Sequence, residues 1–303
     1  MIKKLSLYTI ALLATIVIFS SCKKEYESVQ TIDDTKLADY FAKNNINAIA
    51  DSAKTGYFYV PTPPAGSTDA NNYKLTDSVR YRITVAAFSN GAVFATTPTY
   101  RNEGQRVGSP FGFFSKSVPA ISQVLKKLNP GASVKIYLPS YLAFGRNGLP
   151  SVGIASNEII VVSITTYKEK QAVLDDALIQ AYLKANSITN AVKDASSGIY
   201  LQTTTVGTGT EVINLNSLVN FSYVLKSLDG GLNQDASMTN MPKKLIPAFR
   251  IMLPKFTKGS KVRMFIPSGL AYGNALVSDS NGGESIPPNS NLDYSVEVLE
   301  VTN

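Results

Sequence analysis

The sequence predicts an α+β protein built from two tandem domains, each preceded by an amphipathic helix. Three observations point to this class. The chain has 303 residues, which favours two domains over one. Its two halves repeat one another, and each half alternates apolar and polar residues in strand-like runs around one short helix. Antiparallel strands combined with a single helix give an α+β domain of about a hundred residues.

Each copy of the repeat begins with a helix. Residues 33–59 align without a gap on residues 175–201, and the helices are expected to end at Asn44 and Asn186. The two copies join near residues 168–175. The predicted apolar faces are Leu37, Tyr40 and Phe41 in the first helix, and Ala177, Leu178, Ala181 and Tyr182 in the second.

The repeat returns near the end of each half. Residues 131–145 read GASVKIYLPSYLAFG, and residues 259–273 read GSKVRMFIPSGLAYG. A short helix precedes each stretch, with Pro119 or Pro247 in its first turn, where a missing N–H costs nothing. Period-two alternation and apolar content predict strands at 79–85, 158–167, 219–225 and 292–301.

Composition excludes several classes of function. The net charge is +7, but the basic residues are scattered, whereas nucleic-acid binding favours a basic stripe. The chain has no His, so Ser-His-Asp catalysis and His-containing zinc sites cannot be built. A single Cys permits neither an intramolecular disulfide nor a cysteine metal cluster. No metal site or cofactor is expected.

The amino terminus predicts export and lipid anchoring. Residues 1–21 combine two early lysines, an apolar run and small residues, as a signal peptide does. Residues 19–22 read FSSC and resemble a bacterial lipobox, which makes Cys22 the expected lipidation site on the periplasmic side or the cell surface. Residues 22–32 are then expected to form a lipidated tether. The alternative is a plain cleaved signal with an incidental Cys.

Two motifs in the second half carry a family resemblance. Residues 266–273 read IPSGLAYG, and residues 286–298 read IPPNSNLDYSVEV. In order and spacing they resemble the carboxy-terminal signature of the FKBP-type peptidyl-prolyl cis-trans isomerases. The resemblance implies a curved antiparallel sheet wrapped on a short helix, with an apolar pocket that accepts proline. It predicts a helix plus a degenerate FKBP-like domain over 33–167, and a helix plus an FKBP-like domain over 168–303.

The resemblance also implies site residues in the second domain. Tyr272 would donate its hydroxyl to a substrate carbonyl, the backbone N–H of Ile286 would donate a second hydrogen bond, and Tyr223 would complete the catalytic set. The substrate-binding residues would be Leu232, Leu245, Ile246, Phe249 and Tyr294. The alternative is that these aromatic residues simply belong to the core, as most such residues do.

The sequence departs from the family pattern in both halves. The family follows its Asp-Gly turn with Phe-Asp, and that pair is missing after Asp229-Gly230. In the first half, Phe144 stands where Tyr272 does, and Ile83 or Thr84 stands where Tyr223 does. The residues Phe94, Phe111, Val118 and Ile121 are still expected to leave an apolar pocket there. The first domain is therefore predicted to be a binding or spacing module.

The resulting functional hypothesis is a peptidyl-prolyl isomerase that assists the folding of exported proteins, with activity mainly in the second domain. Its partners would be proline-containing peptides or unfolded exported proteins, and the membrane through the lipid anchor. One alternative is a non-catalytic peptide- or protein-binding lipoprotein, including a holding chaperone, on the same fold. The two amphipathic helices could mediate a homodimer, or each could pack on its own domain.

Overall fold

The computed structural model of the protein describes residues 27–278 and 285–303. The predicted signal peptide and Cys22 lie outside these residues. The predicted tether is wrong at its carboxy-terminal end, because a helix begins at Val29, capped by Ser28, whose hydroxyl accepts a hydrogen bond from the Thr31 N–H at 3.1 Å. Within the described part of the chain, no helix combines the length and apolar character needed to cross a bilayer.

We call residues 29–167 the first repeat. It contains helices α1 (Val29–Lys43) and α2 (Pro119–Leu125). Its strands are β1 (Ile49–Ala50), β2 (Phe58–Thr62), β3 (Ser78–Ala87), β4 (Val93–Thr96), β5 (Glu103–Arg106), β6 (Gly112–Phe113), β7 (Lys116–Ser117), β8 (Ser133–Leu138) and β9 (Ile160–Tyr167).

We call residues 171–302 the second repeat. It contains helices α3 (Gln171–Ala185) and α4 (Pro247–Met252). Its strands are β10 (Val192–Lys193), β11 (Tyr200–Thr205), β12 (Leu218–Ser227), β13 (Asn233–Asn240), β14 (Lys261–Ile266), β15 (Val277–Ser278), β16 (Ser285–Ile286) and β17 (Leu292–Thr302). The predictions that Pro119 and Pro247 open the short helices are confirmed.

The two main sheets have the same antiparallel topology. The strand order is β1-β2-β8-β9-β3-β4 in the first repeat and β10-β11-β14-β17-β12-β13 in the second. They differ at one edge. Strand β13 pairs with β12 continuously from Val219 to Lys226. In the first repeat β4 and β5 share the edge of β3, and residues 97–102 loop out between them.

The long helices end as predicted, but their buried faces differ from the prediction. The side-chain amides of Asn44 and Asn186 donate to the carbonyl oxygens four residues earlier, at 2.8 and 2.9 Å. In α1 the buried residues are Asp33, Leu37 and Phe41, and in α3 they are Leu174, Asp175, Ile179 and Leu183. Ala177 and Ala181 are exposed, so their assignment to the apolar face is wrong. Alanines fit either face of a helix, which is why periodicity alone misplaced them.

A buried aspartate fixes each long helix to its sheet. Asp33 accepts hydrogen bonds from the backbone N–H and hydroxyl of Ser140 at 2.8 and 2.7 Å. At the equivalent place, Asp175 accepts from the Ser268 hydroxyl and from the Gln171 side-chain amide, both at 2.8 Å. Burial raises the pKa of Asp175, against the lowering effect of these hydrogen bonds. Each aspartate thus positions the segment that follows the serine.

Each sheet packs against its own short helix. Ile121 and Leu125 of α2 are buried in one core together with Ile136 of β8. Ala248 and Met252 of α4 are buried in the other. The predicted α+β class is confirmed, because each core forms between one antiparallel sheet and one short helix.

Candidate functional site

The floor of a cavity in the second repeat is made by aromatic rings from two strands and α4. Tyr223 of β12 and Tyr294 of β17 lie on neighbouring strands, with ring centroids 5.6 Å apart. Phe249 of α4 stacks on Phe221 at 5.3 Å and meets the Tyr294 ring edge-to-face at 5.0 Å. Because Phe249 is in turn buried, these rings form a rigid apolar floor.

Tyr272 reaches the cavity from the turn after β14. The chain passes through a 3₁₀ turn, Ser268–Leu270, and Gly273 closes it with a φ of 62° that favours glycine. The Gly273 N–H donates to the Ser268 carbonyl, and the Gly273 carbonyl accepts from the Asn289 N–H, both at 2.8 Å. The Tyr272 turn is therefore joined to the loop that follows Ile286.

The cavity has a volume of about 490 Å³. It brings together every residue that the sequence placed in the site, namely Tyr223, Leu232, Leu245, Ile246, Phe249, Tyr272, Ile286 and Tyr294. It also includes residues that sequence reasoning missed, namely Phe221, Leu225, Gln234, Met238, Val277 and Ser278. The alternation along β12 could have indicated two of these, since residues at 221, 223 and 225 share one face of a strand.

The cavity is mainly apolar, and its polar side chains are Gln234, Ser278 and the three tyrosines. Burial first, and then the neighbouring Tyr272, raise the pKa of Tyr294 well above its ordinary value. Burial, and next the nearby Tyr272, also raise the pKa of Tyr223.

Two backbone N–H groups border the cavity. Ile286, the predicted donor, lies in β16 and pairs with Val277 of β15. Ile246 directly precedes α4, and among the described residues none accepts a hydrogen bond from its N–H. The first N–H groups of a helix have no partner within the helix, so the start of α4 is a natural place for a ligand carbonyl.

The equivalent place in the first repeat is filled by the protein itself. The strand register shows that Ile83, and not Thr84, occupies the position in the first repeat that Tyr223 occupies in the second. Phe144, the counterpart of Tyr272, contacts Phe113 and Phe114 of the β6–β7 hairpin, with ring centroids 6.0 and 6.3 Å away. The predicted pocket residues Phe111, Val118 and Ile121 are at most 2% exposed in the core, and Phe94 packs against it.

Comparison with known proteins shows that part of the second repeat is similar to one family. The sequence profile of the FKBP-type peptidyl-prolyl cis-trans isomerase family matches residues 210–299. FkpA of Escherichia coli, an FKBP-type peptidyl-prolyl cis-trans isomerase, is 30% identical over 137 residues, which are 44% of this chain and 48% of the relative. FkpA of Aeromonas hydrophila is 29% identical over 138 residues, 44% of this chain and 49% of the relative. The match spans about half the length of these relatives.

Among solved structures, the crystal structure of FkpA from Escherichia coli aligns with a TM-score of 0.35 at 28% identity, over 43% of this chain and 61% of that one. The matched residues 210–299 contain the whole described lining of the cavity, from Phe221 to Tyr294. Residues 210–299 of the second repeat are therefore similar to the FKBP-type peptidyl-prolyl cis-trans isomerase family.

Proposed function

We propose that the protein is a peptidyl-prolyl cis-trans isomerase and that the second repeat carries the activity. The observation that supports this most directly is the mainly apolar cavity, which Tyr272 helps to line. The eight residues implied by the family resemblance all line it, although they come from three strands, one helix and three connecting segments.

The chemistry needs shape and low polarity more than an acid or a base. Rotation about an Xaa-Pro bond faces a barrier of about 20 kcal/mol, because the planar amide is stabilised by resonance. The twisted transition state has lost that resonance and is less charge-separated. An apolar floor of Phe221, Phe249 and Tyr294 therefore favours it over the planar amide. Hydrogen bonds from Tyr272 and from a backbone N–H, of Ile246 or Ile286, would hold the substrate carbonyls.

One departure from the family pattern has a visible substitute. Leu232 stands near the position of the missing aromatic residue after Asp229-Gly230, and it is buried and lines the cavity. The apolar wall is thus kept. The missing acid has no such substitute, since Gln234 is the polar side chain that lines the cavity from β13. This loss favours the second candidate function, a pocket that binds proline-containing segments with little catalysis.

Exchange spectroscopy by NMR on a tetrapeptide with a Leu-Pro bond tests the activity. We expect the protein to accelerate cis/trans exchange and Tyr272→Phe to lower the acceleration by roughly two- to tenfold, the usual worth of one net hydrogen bond. Phe144→Tyr is the matched control, since it adds a hydroxyl at the covered position in the first repeat. We expect it to leave the rate unchanged.

The outcomes separate the two candidates. If the peptide binds the second repeat but its exchange rate does not change at high protein concentration, the isomerase proposal is wrong and the binding function remains. If Phe144→Tyr raises the rate, the assignment of activity to the second repeat is wrong.

We further propose that the protein acts on exported proteins from a lipid anchor at Cys22. The support is the sequence alone, namely the signal-like residues 1–21 and the FSSC pattern. Metabolic labelling with radioactive palmitate, compared between the native chain and Cys22→Ser, tests the anchor. Equal labelling of the two proteins would rule it out.

A further inference from the structure

The loop between β4 and β5 of the first repeat is held rigidly by one arginine. The guanidinium of Arg82 donates to the carbonyl oxygens of Thr97, Pro98, Thr99 and Arg101 at 2.6 to 3.0 Å. An arginine fork that satisfies four carbonyls of one loop fixes its backbone. The loop has no counterpart in the second repeat, where β13 runs without interruption.

Three consecutive residues of this loop contact the second repeat. The Tyr100 ring meets the Tyr182 ring of α3 edge-to-face at 5.1 Å. The Arg101 Nε lies 3.1 Å from the Asp229 carboxylate, whose side chain is 5% exposed. The side chains of Asn102 and Gln171 exchange two hydrogen bonds of 2.8 and 3.2 Å.

Two contacts of this loop reach loops that border the cavity, at Asp229 and at Asn289. Asp229 begins the turn that leads to Leu232. The Asn102 carbonyl lies 3.5 Å from the side-chain amide of Asn289, whose N–H bonds the residue after Tyr272. Gly104 lies directly under Asn289, since a Cβ there would come within 2.6 Å of its side-chain nitrogen.

A chain of hydrogen bonds reaches the Tyr272 turn from a third direction. It runs from Asn102 to Gln171, from Gln171 to Asp175, and from Asp175 to the Ser268 hydroxyl. The Ser268 N–H then donates to the buried Asn291 side chain at 3.0 Å. The turn before Tyr272 and the loop after Ile286 are thereby linked to the first repeat.

The first repeat makes the equivalent contacts within itself. Tyr40, the counterpart of Tyr182, packs edge-to-face on Phe88 of its own repeat at 4.8 Å. Ser89, the counterpart of Asp229, is bonded by its N–H and hydroxyl to Glu158 of its own repeat at 3.0 and 2.8 Å. Val29 stands at the position of Gln171 and is exposed. In the second repeat, Tyr182 and Asp229 contact Tyr100 and Arg101 of the loop, while Tyr182 also packs on Phe265 of its own repeat at 6.1 Å.

We propose that residues 97–104 of the first repeat are a positioning loop. It holds in place two loops that border the cavity of the second repeat, namely the turn that begins at Asp229 and the loop that contains Asn289. The first repeat, whose own site is filled, then serves as a fixed support for the neighbouring one. Arg101, Asn102 and Gly104 are positioning residues, because they act through Asp229, Gln171 and Asn289 and line no part of the cavity. The proposal concerns the shape of the cavity, and so it goes beyond the proposed activity.

Two readouts on the full-length chain test the loop. The first is the affinity for a tetrapeptide with a Leu-Pro bond, measured by NMR titration. The second is hydrogen exchange of the hydrogen-bonded amides of Leu228, Leu232 and Asn289. In Arg101→Ala and in Gly104→Ala we expect the peptide to bind roughly two- to thirtyfold more weakly, the usual range of couplings carried through packed residues. We expect the three amides to exchange faster in both variants.

Arg106→Ala is the matched control, since Arg106 is an exposed arginine on β5. Arg101→Asp and Asp229→Arg should each weaken peptide binding, and the double variant that carries both changes should recover affinity. A general loss of stability would not produce this recovery. Gln171→Val copies the first repeat and should weaken binding on its own. If the loop variants bind the peptide and exchange their amides as the control does, the positioning proposal is wrong. Neither readout requires catalysis, so a protein that binds without isomerising still tests it.

Discussion

The two repeats have the same strand order, but the place where a ligand would bind is an open cavity in the second repeat and is covered by side chains in the first. In the second repeat, a tyrosine at position 272 borders an open apolar cavity. In the first, Phe144 at the same place is covered by Phe113 and Phe114 from a hairpin. The comparison teaches that this fold is maintained by its sheet and short helix, whereas the site depends on a few side chains and one connection.

The connection between the edge strand and the short helix accounts for much of the difference. In the first repeat it forms the β6–β7 hairpin, in which Phe114 and Ser115 take positive φ values of 50° and 60°. Non-glycine residues rarely adopt this conformation. In the second repeat the connection is a 3₁₀ turn, Pro242–Lys244, and the rings of β12 and α4 line the cavity.

The largest expected effect comes from removing the buried aspartates. Asp33→Ala and Asp175→Ala should each lower the free energy of unfolding by roughly 1–3 kcal/mol for every donor left without a partner. Only Asp175→Ala should also weaken peptide binding, because Ser268 precedes the Tyr272 turn. Urea unfolding followed by circular dichroism, together with the peptide titration, measures both. Weaker peptide binding in Asp33→Ala would contradict the separation of the two sites.

Ile121 of α2 and Phe249 of α4 occupy equivalent positions in the short helices. Replacing each by the other's residue type tests how closely the side chains pack in each site. Ile121 is fully buried, so Ile121→Phe should cost about 1–3 kcal/mol through overpacking and leave peptide affinity unchanged. Phe249→Ile removes the contacts with Phe221 and Tyr294, each worth about 0.5–1.5 kcal/mol, and should weaken peptide binding. Thermal unfolding of the two variants checks the first effect. If Ile121→Phe costs nothing, the first site holds unfilled space.

The smallest expected effect concerns the turn before the second strand of each repeat. Burial works against the charge of Asp51, but hydrogen bonds from Thr55 and Tyr57 outweigh it and lower its pKa to about 2. A carboxyl with a lowered pKa stabilises the fold above its unfolded value of about 3.9, and this contribution is lost as pH falls towards 2. The pKa of Asp194 is lowered chiefly by the hydrogen bond from Lys255.

Asp51→Asn should therefore lower stability near neutral pH, and the difference from the native chain should shrink between about pH 4 and pH 2. Asp194→Asn should lower stability less in high salt, because the exposed ion pair with Lys255 is screened, whereas neutral donors hold Asp51. Denaturant midpoints across pH and salt concentration measure both. If salt changed the loss of stability equally in the two variants, the distinction between an ion pair at Asp194 and neutral donors at Asp51 would be wrong.

Much of the fold was predictable because its signals are local. Asn44 and Asn186 end the long helices, and Pro119 and Pro247 open the short ones, each through the backbone hydrogen bonding of one turn. Residues that line the site could also be named, since the motifs around Tyr272 and Ile286 keep the order and spacing of the family. The helix faces were less predictable, as the exposed Ala177 and Ala181 show.

The sequence by itself determined the repeat, the α+β class and the set of side chains available to an apolar pocket. Only the tertiary structure decided which pocket is open, because Phe144 is covered by residues some thirty positions earlier in the chain. It also decided that Arg101 meets Asp229 and Asn102 meets Gln171, since each of these pairs joins different repeats. Periodicity and short motifs report interactions within a few residues, whereas such contacts depend on how two finished sheets pack.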